Sequence, residues 1–121
     1  MKKINKIQKL QFKLIRNSSF NSLDGNQVVD DLLNNRELWD GVIIDRPGSG
    51  CIDLIKLRDI EDNLWNTDTI YVLSSGTNNV KLQEIAEGWS ADAIKFITGG
   101  QADALLGSFP SNKMIMSVWW D

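Results

Sequence analysis

Short apolar runs that alternate with segments of helical spacing place the strongest constraint on the fold of this chain. Residues 70–73 and 93–97 are continuous apolar or nearly apolar runs, which are typical of strands covered on both faces. Between these two runs, apolar residues recur at the i, i+3, i+4 and i+7 positions of an amphipathic helix: Leu82, Ile85, Ala86 and Trp89. The second half of the chain therefore predicts a strand, a helix that Asn78 caps, and a second strand.

The same criteria divide most of the remaining chain. Residues 98–107 are predicted to form a short helix, and residues 113–120 a last strand of low polarity. In the first half, residues 42–44 read as a strand, and residues 24–34 as a helix capped by Ser22 or Asp24. Residues 8–16 alternate between apolar and polar side chains, which predicts a strand with one covered face.

Residues 51–64 allow two interpretations. As a helix, the segment places Leu54, Leu57 and Leu64 near one stripe, which would pack on the sheet and leave the intervening acids in water. As a strand, residues 51–57 would fold back on residues 42–45 around the turn at 47–50. The helix is favoured because the apolar spacing persists as far as Leu64.

The order of these segments predicts the fold class. Strands that alternate with helices are typical of a mostly parallel sheet with right-handed crossovers. We therefore expect a single α/β domain over residues 1–121, with about five strands in a mostly parallel or mixed sheet and three to four flanking helices. Residues 1–8 are expected to form a basic N-terminal extension.

Missing residue types exclude several kinds of chemistry. The chain has no histidine and one cysteine, Cys51, so it lacks a Ser-His or Cys-His pair, an internal disulfide and a CxxC site. Gly48, Ser49 and Gly50 follow a predicted strand, but Asp53 occupies the position where a dinucleotide loop needs its third glycine. We therefore expect no catalytic set, no cofactor and no metal site.

Charge is distributed unevenly along the chain. The net charge is −3, yet residues 1–16 contain six bases and no acid. Residues 24–68 contain eleven acids and four bases, a balance of −7. Such a field repels phosphate backbones and attracts cations, so we expect a basic protein partner and no nucleic acid. No segment is apolar enough to span a membrane or to serve as a signal peptide, and a cytoplasmic location is expected.

Five tryptophans stand out in a chain with one tyrosine. Tryptophan is enriched at the energetic centres of protein interfaces, and two of the five stand close to acids in the acidic stretch. The residues expected to bind a partner are Asp53, Asp59, Glu61, Asp62, Trp65, Asp68, Trp39 and Asp40. The tripeptide 38–40, Leu-Trp-Asp, and the acidic α/β character resemble those of barstar-type ribonuclease inhibitors, and no site residue is carried over from this resemblance.

These features predict a small acidic inhibitor, such as an immunity protein or antitoxin, that neutralises a basic toxin by covering it. A first alternative is a scaffold or regulatory subunit. The layout, with Asp45 at a strand end, is similar to that of receiver domains, but Asn17, Ser18 and Ser19 stand where their metal-binding acids would be. A second alternative is an enzyme that uses the acids of residues 53–68 on a metal ion.

Overall fold

The computed structural model describes residues 2–47 and 54–121. They contain one open sheet of four antiparallel strands. The strands are β1 (Gly41–Asp45), β2 (Thr69–Ser74), β3 (Ala93–Ile97) and β4 (Met114–Trp119). Their order across the sheet is β1-β2-β4-β3, and every neighbouring pair is antiparallel. Within the described residues, no helix has the length and apolar character needed to cross a membrane.

Five α-helices connect or precede the strands in the described part of the chain. They are α1 (Lys6–Arg16), α2 (Gly25–Asn34), α3 (Ile55–Asp59), α4 (Asn79–Glu87) and α5 (Gly99–Leu106). Two single 3₁₀ turns, Arg36–Leu38 and Ile60–Asp62, follow α2 and α3. The cap of α2 is Asp24, one of the two candidates that the sequence offers. Its side chain accepts a hydrogen bond from the backbone N–H of Gln27.

The predicted sheet of about five mostly parallel strands is wrong. Asp45, the last residue of β1, lies opposite Thr69, the first of β2, so the chain between them returns at the same end of the sheet. The link from β3 to β4 also joins adjacent strands, with Ile97 opposite Ile115. Among the links between consecutive described strands, only β2-α4-β3 joins two strands that run parallel, and β4 lies between them. A helix between two strands does not require a crossover, which is the reason that alternation misled the prediction.

The predicted strand over residues 8–16 is also wrong, because these residues belong to α1. Gln8, Phe12 and Ile15 are its buried residues, at the i, i+4 and i+7 positions of a helix. Leu10, which the alternation placed on the covered face, is 48% exposed. Over nine residues a period of two and a period of 3.6 share several positions, so the short pattern fitted both structures.

The core lies on one face of the sheet, beneath α2 and α4. Val28 and Leu32 of α2 and Leu82 of α4 belong to the same buried cluster as Val72 of β2 and Met116 of β4. Three tryptophans in this core have their indole N–H groups bonded: Trp39 to the carbonyl of Leu32, Trp89 to Asp31, and Trp120 to the carbonyl of Trp89.

Helix α1 packs against β1 and α2 in two specific ways. The side chain of Gln8 both donates to the carbonyl of Val42 and accepts from its N–H, each at 2.8 Å, and Gln11 accepts from the N–H of Ile44 at 3.0 Å. The two glutamines thus take the place of a neighbouring strand at the edge of β1. At Gly25, a Cβ atom would lie 1.8 Å from the carbonyl oxygen of Ile15, so the close approach of α1 and α2 requires glycine.

Candidate partner-binding surface

Two of the predicted partner-binding residues lie away from the others. Trp39 is 1% exposed, packs edge-on against Phe12 with 5.6 Å between ring centroids, and is covered by the guanidinium of Arg36 at 4.0 Å. It therefore belongs to the core and is not available to a partner, contrary to the prediction. Asp40 precedes β1, at the opposite end of that strand from Asp45.

Asp40 is held by two lysines that are distant in the sequence. Its carboxylate accepts from the Nζ of Lys2 at 2.7 Å and from the Nζ of Lys113 at 2.8 Å. Partial burial raises the pKa of Asp40, but the hydrogen bonds from Lys113 and Lys2 outweigh it and leave the pKa below its usual value. The charge of Asp40 is thus compensated within the chain, which weakens its case as a partner contact.

Asp68 lies at the Asp45 end of the sheet, and the segment that joins β1 to β2 contains Asp59, Glu61, Asp62 and Trp65. Asp53 is outside the described residues. Asp59, at the end of α3, is buried and accepts from Arg58 at 2.7 and 3.0 Å and from Asn66 at 2.8 Å. These hydrogen bonds lower the pKa of Asp59 to about 2. Asp59 therefore organises the segment around it, and its carboxylate is not presented to a partner.

Four large apolar side chains near Asp59 point away from the core. Leu54, Leu57, Ile60 and Leu64 are between 55% and 62% exposed. Glu61 and Asp62, in the 3₁₀ turn, are exposed beside them. We call Leu54, Leu57, Ile60, Glu61, Asp62 and Leu64 the 54–64 surface. The expectation that its leucine stripe packs on the sheet is wrong: α3 ends after five residues, and Asp59 takes the buried position.

Trp65 anchors the C-terminal end of this surface. It is half-buried and packs against the core, and the Nζ of Lys56 lies 5.2 Å from its ring centroid. Lys56 also forms an ion pair with Asp45. The indole Nε1 of Trp65 is buried, and no hydrogen-bond partner for it is found in the described part of the chain. Trp65 therefore joins the end of this surface to the core and exposes only part of its ring.

Asp68 extends the negative charge along the same end of the sheet. It precedes β2 and accepts a hydrogen bond from the hydroxyl of Thr69 at 2.8 Å. Burial raises the pKa of Tyr71 on β2, and the charges of Asp45 and Asp68 raise it further. The phenol of Tyr71 thus lies in the negative electrostatic field of Asp45 and Asp68.

The carboxylates of this region are not arranged as a metal site. Within residues 2–47 and 54–121, no group of three or more histidine, cysteine, aspartate or glutamate side chains could hold a metal ion. Asp45 and Asp59 instead take part in ion pairs with Lys56 and Arg58. The enzyme alternative therefore gains no support from the geometry of these acids.

The sequence predicts that this segment is a candidate surface, but it predicts the burial of some of its side chains wrongly. It selected Glu61, Asp62 and Trp65, which lie together, but it assigned Leu57 and Leu64 to the core. A signal was present: Asp59 falls among the apolar positions. With its carboxylate buried and hydrogen-bonded to Arg58 and Asn66, the leucines face outward. Comparisons of the chain with protein-family models, with curated proteins and with solved structures find no match.

Proposed function

We propose that this protein is a small cytoplasmic binding protein that inhibits a basic protein, such as a nuclease toxin, by covering it with the 54–64 surface. The observation that carries the proposal is the combination of four exposed large apolar side chains with two exposed acids in eleven consecutive residues. Contiguous apolar groups rimmed by polar ones are typical of protein interaction sites.

The chemistry of the surface indicates the kind of partner. Apolar side chains such as Leu57 and Leu64 would lose water on binding and so slow dissociation. Glu61 and Asp62 would attract a positively charged partner and so speed association. A basic partner fits both this surface and the balance of −7 over residues 24–68.

The test begins with identification of a partner by affinity capture with the wild-type protein and two matched pairs of variants. Leu57→Ser alters an apolar residue that is 62% exposed, and Val80→Ser alters one on α4 that is 67% exposed. Glu61→Lys with Asp62→Lys reverses two charges on the surface, and Glu84→Lys with Glu87→Lys reverses two exposed charges on α4. Thermal melts of all variants establish that they are folded.

The proposal predicts a basic partner that the wild type and both α4 variants retain. In kinetic measurements with that partner, Leu57→Ser should mainly raise the dissociation rate, and reversal at Glu61 and Asp62 should mainly lower the association rate. The association rate of the wild type should fall as salt rises from about 0.05 to 0.5 M. At equimolar inhibitor, the activity of the partner should be lost.

A partner that binds folded 54–64 variants at the wild-type rate would exclude this surface. Association that is indifferent to salt, or a partner that stays active in the complex, would instead favour the alternative of a scaffold or regulatory subunit.

A further inference from the structure

The face of the sheet opposite the core carries a trough that the proposed function does not use. α2 and α4 pack on the other face, whereas this face is bordered by α1 on one side and α5 on the other. The trough has a volume of about 800 Å³. That volume lies within the range of about 300–1,000 Å³ that is usual for sites of small molecules.

One row of side chains across the trough is wholly apolar. Leu73 of β2, Ile115 of β4 and Ile97 of β3 are neighbours in the register and line its floor. Ile115 is 7% exposed, so this part of the floor is already well shielded from water. Leu105 and Leu106 of α5 stand beside the row as exposed apolar walls. The row and the wall together offer a path for an apolar chain.

The next row carries the polar groups. Ser117 of β4 lies opposite both Tyr71 of β2 and Lys95 of β3, and all three line the trough. Lys95 is exposed, and none of the carboxylates in the described ranges forms an ion pair with it. Asp40, the one carboxylate among the described lining residues, is already bound to Lys2 and Lys113. The row therefore presents an ammonium and two hydroxyls to the trough. Lys95 is on β3, and β4 separates it from Tyr71, which is the member of the row near Asp45 and Asp68.

We propose that this trough binds a single-chain apolar carboxylate, such as a medium-chain fatty acid. The carboxylate accepts from Lys95 and Ser117, and the chain lies over Leu73, Ile115 and Ile97 towards α5. A site with apolar walls and few convergent polar groups fixes the orientation of such a ligand. A charge-assisted hydrogen bond from Lys95 selects the carboxylate over an uncharged head group.

The first test compares chain length and head group on the wild-type protein by isothermal titration calorimetry. Octanoate, decanoate and dodecanoate, each far below its micelle concentration, should bind with affinities that rise by up to about fourfold for each added methylene. Decanol should bind more weakly than decanoate, and decylamine more weakly still because it meets Lys95. Equal affinity for the three head groups would overturn the assignment of Lys95.

The second test removes the charge of Lys95. Lys95→Met keeps an unbranched apolar stem and should weaken decanoate about two- to fivefold, as expected for an exposed ion pair, without changing decanol. Lys81→Met on α4 is the matched control and should leave both affinities unchanged, because Lys81 is exposed and does not line the trough. Equal losses in the two variants would mean general attraction of anions and would refute the site.

The third test places the chain. Leu105→Ser alters a wall residue that is 64% exposed and should weaken decanoate and decanol alike, whereas Val80→Ser, 67% exposed and outside the trough, should weaken neither. Decanoate should shift backbone amide resonances of β2, β3 and β4 in the wild type. Shifts confined to α1 or to the 54–64 surface would overturn the proposal. Neither outcome bears on the proposed binding of a basic protein partner, because that proposal rests on the 54–64 surface and not on the trough.

Discussion

Asp59 and Asp62 stand three residues apart and have different environments. Asp59 is buried and accepts three hydrogen bonds from Arg58 and Asn66, whereas Asp62 is exposed in the 3₁₀ turn. Both are aspartates in the same acidic stretch, and the one sequence difference is that Asp59 falls among the apolar positions. At the scale of single residues, the environment decides which carboxylate stabilises the fold and which is presented to solvent.

Asp59 should make the stability of the protein depend on pH in the acidic range. Its pKa is lowered from 3.8 to about 2, so the ionised carboxylate favours the folded state. This contribution is fully present above about pH 4 and is lost as the pH falls towards 2. Asp59→Asn should therefore melt at a lower temperature than the wild type at pH 7, and the difference should narrow between pH 4 and pH 2.

Asp62→Asn is the matched control for this measurement. Hydrogen bonds from Ser111 lower the pKa of Asp103, and against partial burial Lys113 and Lys2 lower that of Asp40. Both effects act equally in all three proteins and cancel in the comparison. A difference between the wild type and Asp59→Asn that stays constant down to pH 2, or an equal effect of Asp62→Asn, would refute the role of Asp59.

At the scale of elements, helix α1 covers the outer edge of the sheet at β1. β1 is an outer strand whose N–H and C=O groups at Val42, and N–H group at Ile44, are bonded by glutamine side chains of α1. Exposed edges of this kind can pair with other chains, and proteins commonly cover them. α1 therefore closes the sheet as well as extending the core.

Replacement of Gln8 should reveal the edge of β1. Gln8→Leu keeps a side chain of similar size but leaves two buried backbone groups of Val42 without partners, at about 1–3 kcal/mol each. We expect a loss of about 2–6 kcal/mol in the free energy of unfolding, measured by urea denaturation. Gln11→Leu, which removes one bond, should cost about half as much.

Lys9→Leu, on the exposed side of α1, should change the free energy of unfolding by less than about 0.5 kcal/mol. Size-exclusion chromatography should also show self-association of Gln8→Leu at high concentration, through the uncovered edge. A Gln8→Leu variant as stable as Lys9→Leu would mean that water satisfies the edge equally well.

The elements differ in how well the sequence predicts them. The strands at 70–73 and 93–97 and the helix with Leu82, Ile85 and Ala86 lie where the pattern places them. The prediction for α1 was wrong because residues 8–16 fit both a period of two and a period of 3.6. The strand directions could not be obtained from local spacing, since the links β1-to-β2 and β3-to-β4 contain helices and still return to an adjacent antiparallel strand.

Local spacing also failed to predict which apolar residues are exposed in the trough and on the 54–64 surface. A continuous apolar run such as 70–73 indicates a strand covered on both faces, yet one face of β2 lines the trough. The leucines of residues 54–64 have helical spacing and are exposed. In both places apolar residues were assigned to the interior, whereas the structure leaves them on surfaces that can bind a ligand or a partner.

At the scale of the whole molecule, the charges are sorted by position. The basic N-terminal segment reaches Asp40, at one end of β1, through Lys2. Asp45 and Asp68 lie at the other end of that strand, and Glu61 and Asp62 belong to the segment that joins β1 to β2 there. An acidic end of this kind can attract a cationic protein or hold a metal ion, and these two uses predict different responses to divalent cations.

We expect Mg²⁺, Mn²⁺ and Ca²⁺ to leave the melting temperature unchanged beyond the effect of NaCl at equal ionic strength. The physical reason is that Asp45, Asp59 and Asp40 already pair with lysine or arginine, and the described residues contain no group of three or more carboxylates that could hold a metal.

A metal site with an affinity of about 0.1 mM would add about 1.4 kcal/mol to the free energy of unfolding at 1 mM metal, which raises the melting temperature by about 5 °C or more for a domain of this size. Differential scanning fluorimetry over 0.01–10 mM, a range of about three decades around that affinity, resolves such a shift. A saturable rise with one cation would contradict the prediction and favour a carboxylate-dependent metal enzyme, with Asp53 as a further ligand to examine.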